Sequence, residues 1–347
     1  MQNRAAMLTA VQKIEMMDVP MPVCQPGDVI VQVDCVGVCG SDIHFYQDGY
    51  IGKRMAKFPM VLGHEAAGRI VEVGSRVSHL KTGDLVAIEP QIPCGTCEFC
   101  KEGRYNLCPD VIFMATPPYD GVLQKYVRFP AHMCYALPDG CTPQDGALLE
   151  PFSVALHAAR LGKVKPGDTV AILGSGCIGL MTIQACRMLG ASKIIVSDLF
   201  DNRLDNALAM GADAVVNAKR DDPVQAILDL TNGEGAHVVF ETAGNSRTAY
   251  QTSCVVRRGG CIVLTGNIVG DVTFNFRNMT LKEAQLKTVW RYCNTYPAAI
   301  DAIVHRRVSF SSLEVAMFDF EDSNLAFYSA MTQKDTIVKA LIQLPSE

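Results

Sequence analysis

Thr169-Val170-Ala171-Ile172-Leu173-Gly174-Ser175-Gly176-Cys177-Ile178-Gly179 is the stretch whose reading decides the fold. Its first five residues have the composition of a short buried strand, and Ile178 to Leu189 carries apolar side chains at helical spacing. Between them lies G-x-G-x-x-G, a weak pattern that becomes informative where it follows a strand and opens a helix. Gly174 makes the tight turn, Gly176 lets the backbone approach a pyrophosphate, and Gly179 allows close packing of helix on strand, while the helix N-terminus attracts negative charge. The context disfavours a bare glycine turn.

Outward from this turn the chain alternates. Lys193 to Ser197 reads as strand, Arg203 to Met210 as helix, Ala214 to Asn217 as strand, Pro223 to Leu230 as helix, and His237 to Glu241 and Cys261 to Gly266 as strands. Such alternation builds a doubly wound parallel sheet, an α/β domain of the Rossmann type. Asp198 follows Gly179 by about twenty residues, where a carboxylate accepts hydrogen bonds from an adenosine ribose and repels a 2′-phosphate. Arg203 is near enough to accommodate such a phosphate, and equally placed to pair with Asp198 or to pack on adenine. NAD is expected over NADP.

Before Pro151 the texture differs. Val29 to Val38 and Ala67 to Val73 are rich in Val and Ile between Gly, Pro and Asp, so the first 150 residues read as mainly β. Within them Cys94-x2-Cys97-x2-Cys100-x7-Cys108 sets four thiolates amid Gly95, Gly103 and Pro109, and a loop can fold them round one tetrahedral ion. Four sulfur ligands leave no place for substrate, so this reads as a structural zinc site. An iron–sulfur cluster takes the same ligands, but nothing else in the chain asks for an electron carrier. Cys177 and Cys186 fall within the buried strand and helix of the glycine turn, and Cys24, Cys35, Cys134, Cys141, Cys254, Cys261 and Cys293 are scattered singly; all of these read as small apolar filler.

The chain has 347 residues, 49% apolar and 19% charged, enough for a full core and two domains. With 31 Lys+Arg against 36 Asp+Glu and no basic run, nucleic acid is an unfavourable partner. The N-terminal residues break their apolar positions with Gln, Arg, Lys and Glu, and the longest apolar region is cut by glycines. Neither a secretory leader nor a membrane span is expected. A cytoplasmic location with reduced thiols is the expectation, which makes metal or catalysis the reason for clustered cysteines.

Two further motifs, Gly37-Val38-Cys39-Gly40-Ser41-Asp42-Ile43-His44 and Gly63-His64-Glu65, place a cysteine, a histidine and a carboxylate in glycine-rich turns, and Leu149-Glu150-Pro151 adds a second carboxylate. Each alone is weak; together they could form an open zinc site. These motifs, the cysteine quartet, the glycine turn and Val289-Trp290-Arg291-Tyr292-Cys293-Asn294-Thr295 resemble, in order along nearly the whole chain, the sorbitol (polyol) dehydrogenase branch of the zinc-dependent medium-chain alcohol dehydrogenases.

The resemblance implies a mainly β GroES-like catalytic domain over 1–152, an NAD-binding Rossmann domain over 153–291, and a C-terminal return to the catalytic domain over 292–347. Thr336 to Leu344 is an apolar, strand-like run that could make that return. A catalytic zinc is implied at Cys39, His64 and Glu65, with Glu150 reaching the ion directly or through its bound water. Ser41 and His44 are implied as the proton path, and Phe45, Glu150, Arg291 and Tyr292 as substrate contacts. Cofactor contacts carry over to Gly174, Gly176, Ile178, Gly179, Asp198, Arg203, Thr265, Asn267, Val289, Trp290 and Arg291.

Two positions depart from the pattern. Thr265-Gly266-Asn267 replaces a usually apolar stretch, and Phe45 stands where some members carry a tyrosine, so preference along the polyol chain is expected to differ. The quartet is complete, although some sorbitol dehydrogenases lack it, so two zincs are expected, one catalytic and one structural.

The implied activity is oxidation of a secondary hydroxyl of a polyol, such as sorbitol or xylitol, to a ketose with NAD, by a homotetramer or dimer. A threonine or other secondary-alcohol dehydrogenase would share every zinc and glycine motif; the V-x-R-Y-C-N-T stretch favours a polyol. A non-catalytic zinc-stabilised nucleotide-binding protein is the alternative of another class, and the intact Cys39, His64 and Ser41 speak against it.

Overall fold

The computed structural model describes residues 2–268 and 270–345. Two compact units divide the chain: Met1–Glu150 with Val315–Glu347, and Pro151–Glu314.

In the second unit, six strands among the described residues form one parallel sheet. Their order is Ala214–Asn217, Lys193–Asp198, Thr169–Leu173, Ala236–Glu241, Val256–Leu264 and Gln285–Thr288. The chain starts at the centre, winds to one edge, returns and winds to the other, which is the doubly wound order. Val170, Ala171, Ile172 and Leu173 are fully buried, as a strand covered on both faces must be. Leu173, Ile195, Val239 and Ile262 belong to one core cluster, and burying each such side chain contributes about 1.5–3 kcal/mol.

Several spans coincide with the sequence reading to the residue, Thr169–Leu173, Ala214–Asn217 and Pro223–Leu230 among them. The last of these begins with proline at a position that needs no N–H, capped by Asp222, whose carboxylate accepts the Val224 N–H at 3.0 Å. The fifth strand starts earlier than its apolar run: Val256–Leu264 includes Arg257, Arg258, Gly259 and Gly260, and its register shifts before Cys261. The helix Ser246–Val255 goes unannounced by its polar, β-branched sequence; Asn245 caps it by accepting the Thr248 N–H at 3.0 Å.

In the first unit, a seven-stranded sheet runs Cys134–Ala136, Leu85–Ile88, Glu65–Val73, Asp28–Gly37, Lys339–Gln343 and Val315–Asp319, with Tyr126–Pro130 also paired to Asp28–Gly37. The run near the end of the chain does rejoin this unit: Leu341, Ile342 and Gln343 pair antiparallel with Gly37, Val36 and Cys35. A smaller sheet of Asn3–Ala10, Lys13–Val19 and Met60–Val61 closes the apolar cluster that includes Val31, Leu62, Ile88 and Ile342. No helix among the described residues is long and apolar enough to cross a membrane.

Candidate functional site

The strand Asp28–Gly37 delivers the chain to Cys39, the residue that caps the helix Gly40–Asp48. One ligand atom from each of Cys39, His64 and Glu65 lies within 4.8 Å of the others. Glu65 opens the strand Glu65–Val73 directly opposite Gly37. A Cβ at position 37 would fall 2.0 Å from Glu65 Oε2, so only glycine there admits the carboxylate.

Asp42 ties the two ligand-bearing segments together. It is 1% exposed; its Oδ2 accepts the Cys39 N–H at 3.4 Å, and its Oδ1 accepts the Gly63 N–H at 3.4 Å and stands 3.4 Å from His64 Nδ1. A carboxylate at Nδ1 holds the ring proton there and leaves the Nε2 lone pair for a ligand. Burial opposes a charge on the His64 ring, yet Asp42 and Cys39 outweigh it and raise its pKa well above the ordinary range. Surroundings that favour a proton so strongly also favour a metal cation. The Phe113 ring packs edge-on to His64 at 5.3 Å between centroids.

Glu65 is held from the opposite end of the sequence. Lys339, on the strand Lys339–Gln343 and 3% exposed, donates from Nζ to Glu65 Oε2 and to the Val38 carbonyl at 3.1 Å. One carboxylate oxygen is thereby held by a buried cation. A sulfur, a nitrogen and an oxygen donor are a set that could hold a metal ion such as zinc.

Ser41 and His44 share a face of the helix Gly40–Asp48, three residues apart, both half-buried, with His44 Nδ1 3.6 Å from Asp48 Oδ2. Phe45 is buried in the apolar cluster of its unit. Glu150, 4% exposed on the helix Pro143–Leu161, stands outside the three-residue cluster.

Cys94, Cys97, Cys100 and Cys108 come together with their sulfurs within 4.8 Å. Cys94 Sγ accepts the Cys97 N–H and Cys108 Sγ the Cys94 N–H, each at 3.4 Å. Backbone N–H groups of Thr96 and Cys97 hold the Cys94 thiol down to about 6, so it is ready as a thiolate ligand. The loop is anchored by Glu89, which is fully buried and accepts from Tyr105 Oη at 2.8 Å, Tyr135 Oη at 3.0 Å and Gln91 Nε2 at 2.9 Å.

In the second unit, Gly174 has φ +107° and lies against Ala243, where a Cβ would come 2.7 Å from the Ala243 nitrogen; at Gly179 it would come 2.0 Å from the Gly174 carbonyl. The turn opens into a cavity of about 450 Å³ lined by Gly174, Gly176, Asp198, Phe200, Arg203 and Arg247 among others. Asp198 Oδ2 accepts the Ser175 N–H at 2.7 Å, and Oδ1 accepts the N–H groups of Leu199 and Phe200 at 2.7 and 3.1 Å. Arg203 and Lys219 both lie over the Phe200 ring, at 5.4 and 4.3 Å from its centroid. Around this turn Ser175 Oγ, Arg203 Nε, Glu241 Oε2 and Thr265 Oγ1 are buried without a hydrogen-bond partner. Buried polar atoms left this way call for a ligand. The residues therefore fit a bound dinucleotide.

Ile178 and Thr265 are half-buried and Asn267 is exposed. Val289 donates its N–H to the Leu264 carbonyl at 3.0 Å, Trp290 is 52% exposed, and Arg291, at φ +53°, stacks 5.1 Å from the Trp290 ring. Tyr292 is fully buried beside Tyr296, at 6.0 Å between ring centroids.

Sequence reasoning missed Asp42, Lys339, Phe113 and Glu89. Asp42 stood inside a quoted motif, three residues after Cys39, at the spacing of a helix cap; the others left no local signal.

Known proteins extend these observations. The model of the alcohol dehydrogenase GroES-like domain matches residues 25–139, and that of zinc-binding dehydrogenases matches residues 177–305. The sorbitol dehydrogenase of Bacillus subtilis is 39% identical over 340 residues, 98% of this chain and 96% of that protein. The crystal structure of an oxidoreductase of unknown specificity from Escherichia coli superposes with a TM-score of 0.96 at 41% identity, covering 100% of both chains. A structure from Sinorhizobium meliloti, named for zinc-binding dehydrogenases and bound to NADP, superposes with a TM-score of 0.91 at 28% identity, covering 99% of both chains. A nucleotide cofactor and zinc go with this kinship, and the chain belongs to the zinc-dependent medium-chain alcohol dehydrogenases, in their sorbitol and polyol dehydrogenase branch.

Proposed function

We propose that this enzyme oxidises a secondary hydroxyl of a polyol to a ketone, with the Met1–Glu150 unit carrying the catalytic zinc and the Pro151–Glu314 unit carrying NAD. The observation that carries the reading is the convergence of Cys39, His64 and Glu65, buttressed by Asp42 and Lys339. The quartet Cys94, Cys97, Cys100 and Cys108 is assigned a second, structural zinc. When bound, the catalytic zinc supplies Lewis acidity that brings the substrate hydroxyl's pKa toward neutrality, and NAD supplies the acceptor for the hydride leaving the carbinol carbon.

The protein's own residues do the rest. Asp42 keeps the His64 ring in one tautomer, and Lys339 keeps Glu65 from swinging out of the donor set. Ser41 takes the hydroxyl proton and passes it toward His44, whose imidazole is paired with Asp48, so no charge accumulates in the site. Glu150 orients the water or hydroxyl at the open position. Phe45, Arg291 and Tyr292 are assigned to the substrate, and Ile178, Thr265, Asn267, Val289, Trp290 and Arg291 join the glycine turn and Arg203 as cofactor contacts.

NAD is preferred because the Asp198 carboxylate, held by three backbone N–H groups beside the glycine turn, repels a 2′-phosphate. A homo-oligomer is part of the same reading; the edge strand Gln285–Thr288 has Leu286 37% exposed, and Trp290, two residues beyond its end, is 52% exposed.

The test is zinc per chain together with NADH formation on sorbitol, xylitol and galactitol, with threonine as the non-polyol control. Two zincs and NAD-dependent oxidation of an alditol are expected. Activity on threonine alone would overturn the polyol assignment, and a faster reaction with NADP than with NAD would overturn the cofactor.

A further inference from the structure

The two ends of the parallel sheet differ in chemistry. The glycine turn lies at the carboxyl ends of the strands. At their amino ends the second unit has another cavity, of about 200 Å³, walled by Lys163, Lys165, Asp168, His237 and Arg257, with glycine backbone at 162, 259 and 260.

His237 gives this cavity its polarity. Its Nδ1 accepts the Thr169 N–H at 3.0 Å. A backbone N–H only donates, so Nδ1 carries no proton and the neutral ring bears it on Nε2. Burial and then Arg257 lower the His237 pKa, in keeping with a neutral ring. Nε2 in turn contacts Arg257 Nη1, and a guanidinium also only donates. Arg257 and the His237 Nε2–H are thus two donors side by side on the cavity wall, and neither supplies the other with an acceptor. Asp168 does not supply it: Oδ1 is 4.0 Å from Nε2, and Oδ2 accepts the Lys165 N–H at 3.1 Å. Three cations, Lys163, Lys165 and Arg257, against the one carboxylate of Asp168 leave the walls with two positive charges.

We propose that this cavity binds a phosphate-sized oxyanion, with Arg257 and the His237 Nε2–H as its half-buried donors and Lys163 and Lys165 at its mouth. An oxyanion supplies the acceptor that the two facing donors lack, and charge-assisted contacts of this kind are the strong ones. The space is below the range of about 300–1,000 Å³ that encloses larger organic ligands, so the ion enters alone or as the end of a small monoester. Gly260 keeps the pocket tight, since a Cβ there would stand 2.9 Å from the His237 carbonyl and 2.7 Å from Val256 Cγ2.

The experiment titrates inorganic phosphate into the zinc-loaded full chain saturated with NADH, which keeps phosphate out of the glycine turn. It follows the imidazole nitrogen resonances by NMR, with His237→Gln assigning the signal. A saturable shift of the His237 Nε2 signal is expected, weakened about tenfold or more in Arg257→Gln and measurably in Lys163→Gln/Lys165→Gln, whose side chains are exposed and whose loss spares the fold. Displacement by methyl phosphate would identify a monoester as an acceptable source; failure to displace would restrict the site to the free ion. An equal response to sodium chloride at matched ionic strength, or an affinity unchanged in both variants, overturns the proposal.

Discussion

Asp42 Oδ1 stands 3.4 Å from His64 Nδ1, while the other oxygen of the same carboxylate accepts the Cys39 N–H, so one buried acid sets the orientation of two donors of the metal cluster. Asp42→Asn keeps the shape and removes the charge. Affinity for the catalytic zinc is expected to fall about 10- to 100-fold, with the quartet's zinc retained. Zinc per chain after graded chelation checks this: loss of both ions together would contradict it.

The Lys339 and Glu65 pair is buried on both sides, at 3% and 1% exposure. Lys339→Met leaves the carboxylate charged and unpaired, a change that costs about 3–5 kcal/mol when no metal compensates. Denaturant unfolding of the metal-stripped protein measures it. In Lys339→Met/Glu65→Gln most of that loss is expected to return, because the stranded charge is gone.

Cys100→Ser breaks the quartet, and zinc content is expected to drop from two per chain to one. Structural zinc contributes its binding free energy to the fold, so the melting temperature falls while residual alditol oxidation persists below it. Metal analysis beside a thermal scan decides it; two zincs in this variant would remove the quartet's assignment.

Asp198 receives three backbone N–H groups beside the glycine turn. Asp198→Ala removes the charge that faces a 2′-phosphate and loosens the turn. The ratio of kcat/KM for NAD over NADP is expected to fall at least about tenfold, since a like charge set against a ligand costs more than 1.4 kcal/mol. Arg203→Gln should move the same ratio the other way.

His157, half-buried on the helix Pro143–Leu161, has its pKa lowered from 6.5 to about 4 by burial and by Arg160. The fold favours the neutral ring, so the unfolded chain binds the proton more readily. The associated stability is whole above about pH 6.5 and is lost as pH falls toward 4. With partial solvent access the loss is about 1–2 kcal/mol. In His157→Gln the acid limb of the stability curve is expected to flatten in that window, as urea midpoints at several pH values will show.

What the sequence disclosed follows from where the constraints are local. The glycine turn, the quartet and the apolar runs Thr169–Leu173 and Ala214–Asn217 each hold their meaning within a few residues. Helix Ser246–Val255 did not, because its stability comes from the Asn245 cap and from packing on the sheet rather than from an apolar stripe. That Cys39 and His64 come together was legible through their glycine-rich turns. Lys339 was not, because nothing near it in the chain distinguishes it from any strand lysine until the strand pairs beside Gly37.

That pairing also sets a timetable. Lys339 lies 274 residues downstream of Glu65, and the whole Pro151–Glu314 unit is translated in the interval. A nascent chain can bring Cys39, His64 and Glu65 within reach of one another long before it has made the lysine that steadies the third of them. The centre is therefore finished late, and a ribosome that stalls between the two units would leave a zinc pocket with its glutamate untethered and the Cys35–Gly37 end of the strand Asp28–Gly37 open to strangers.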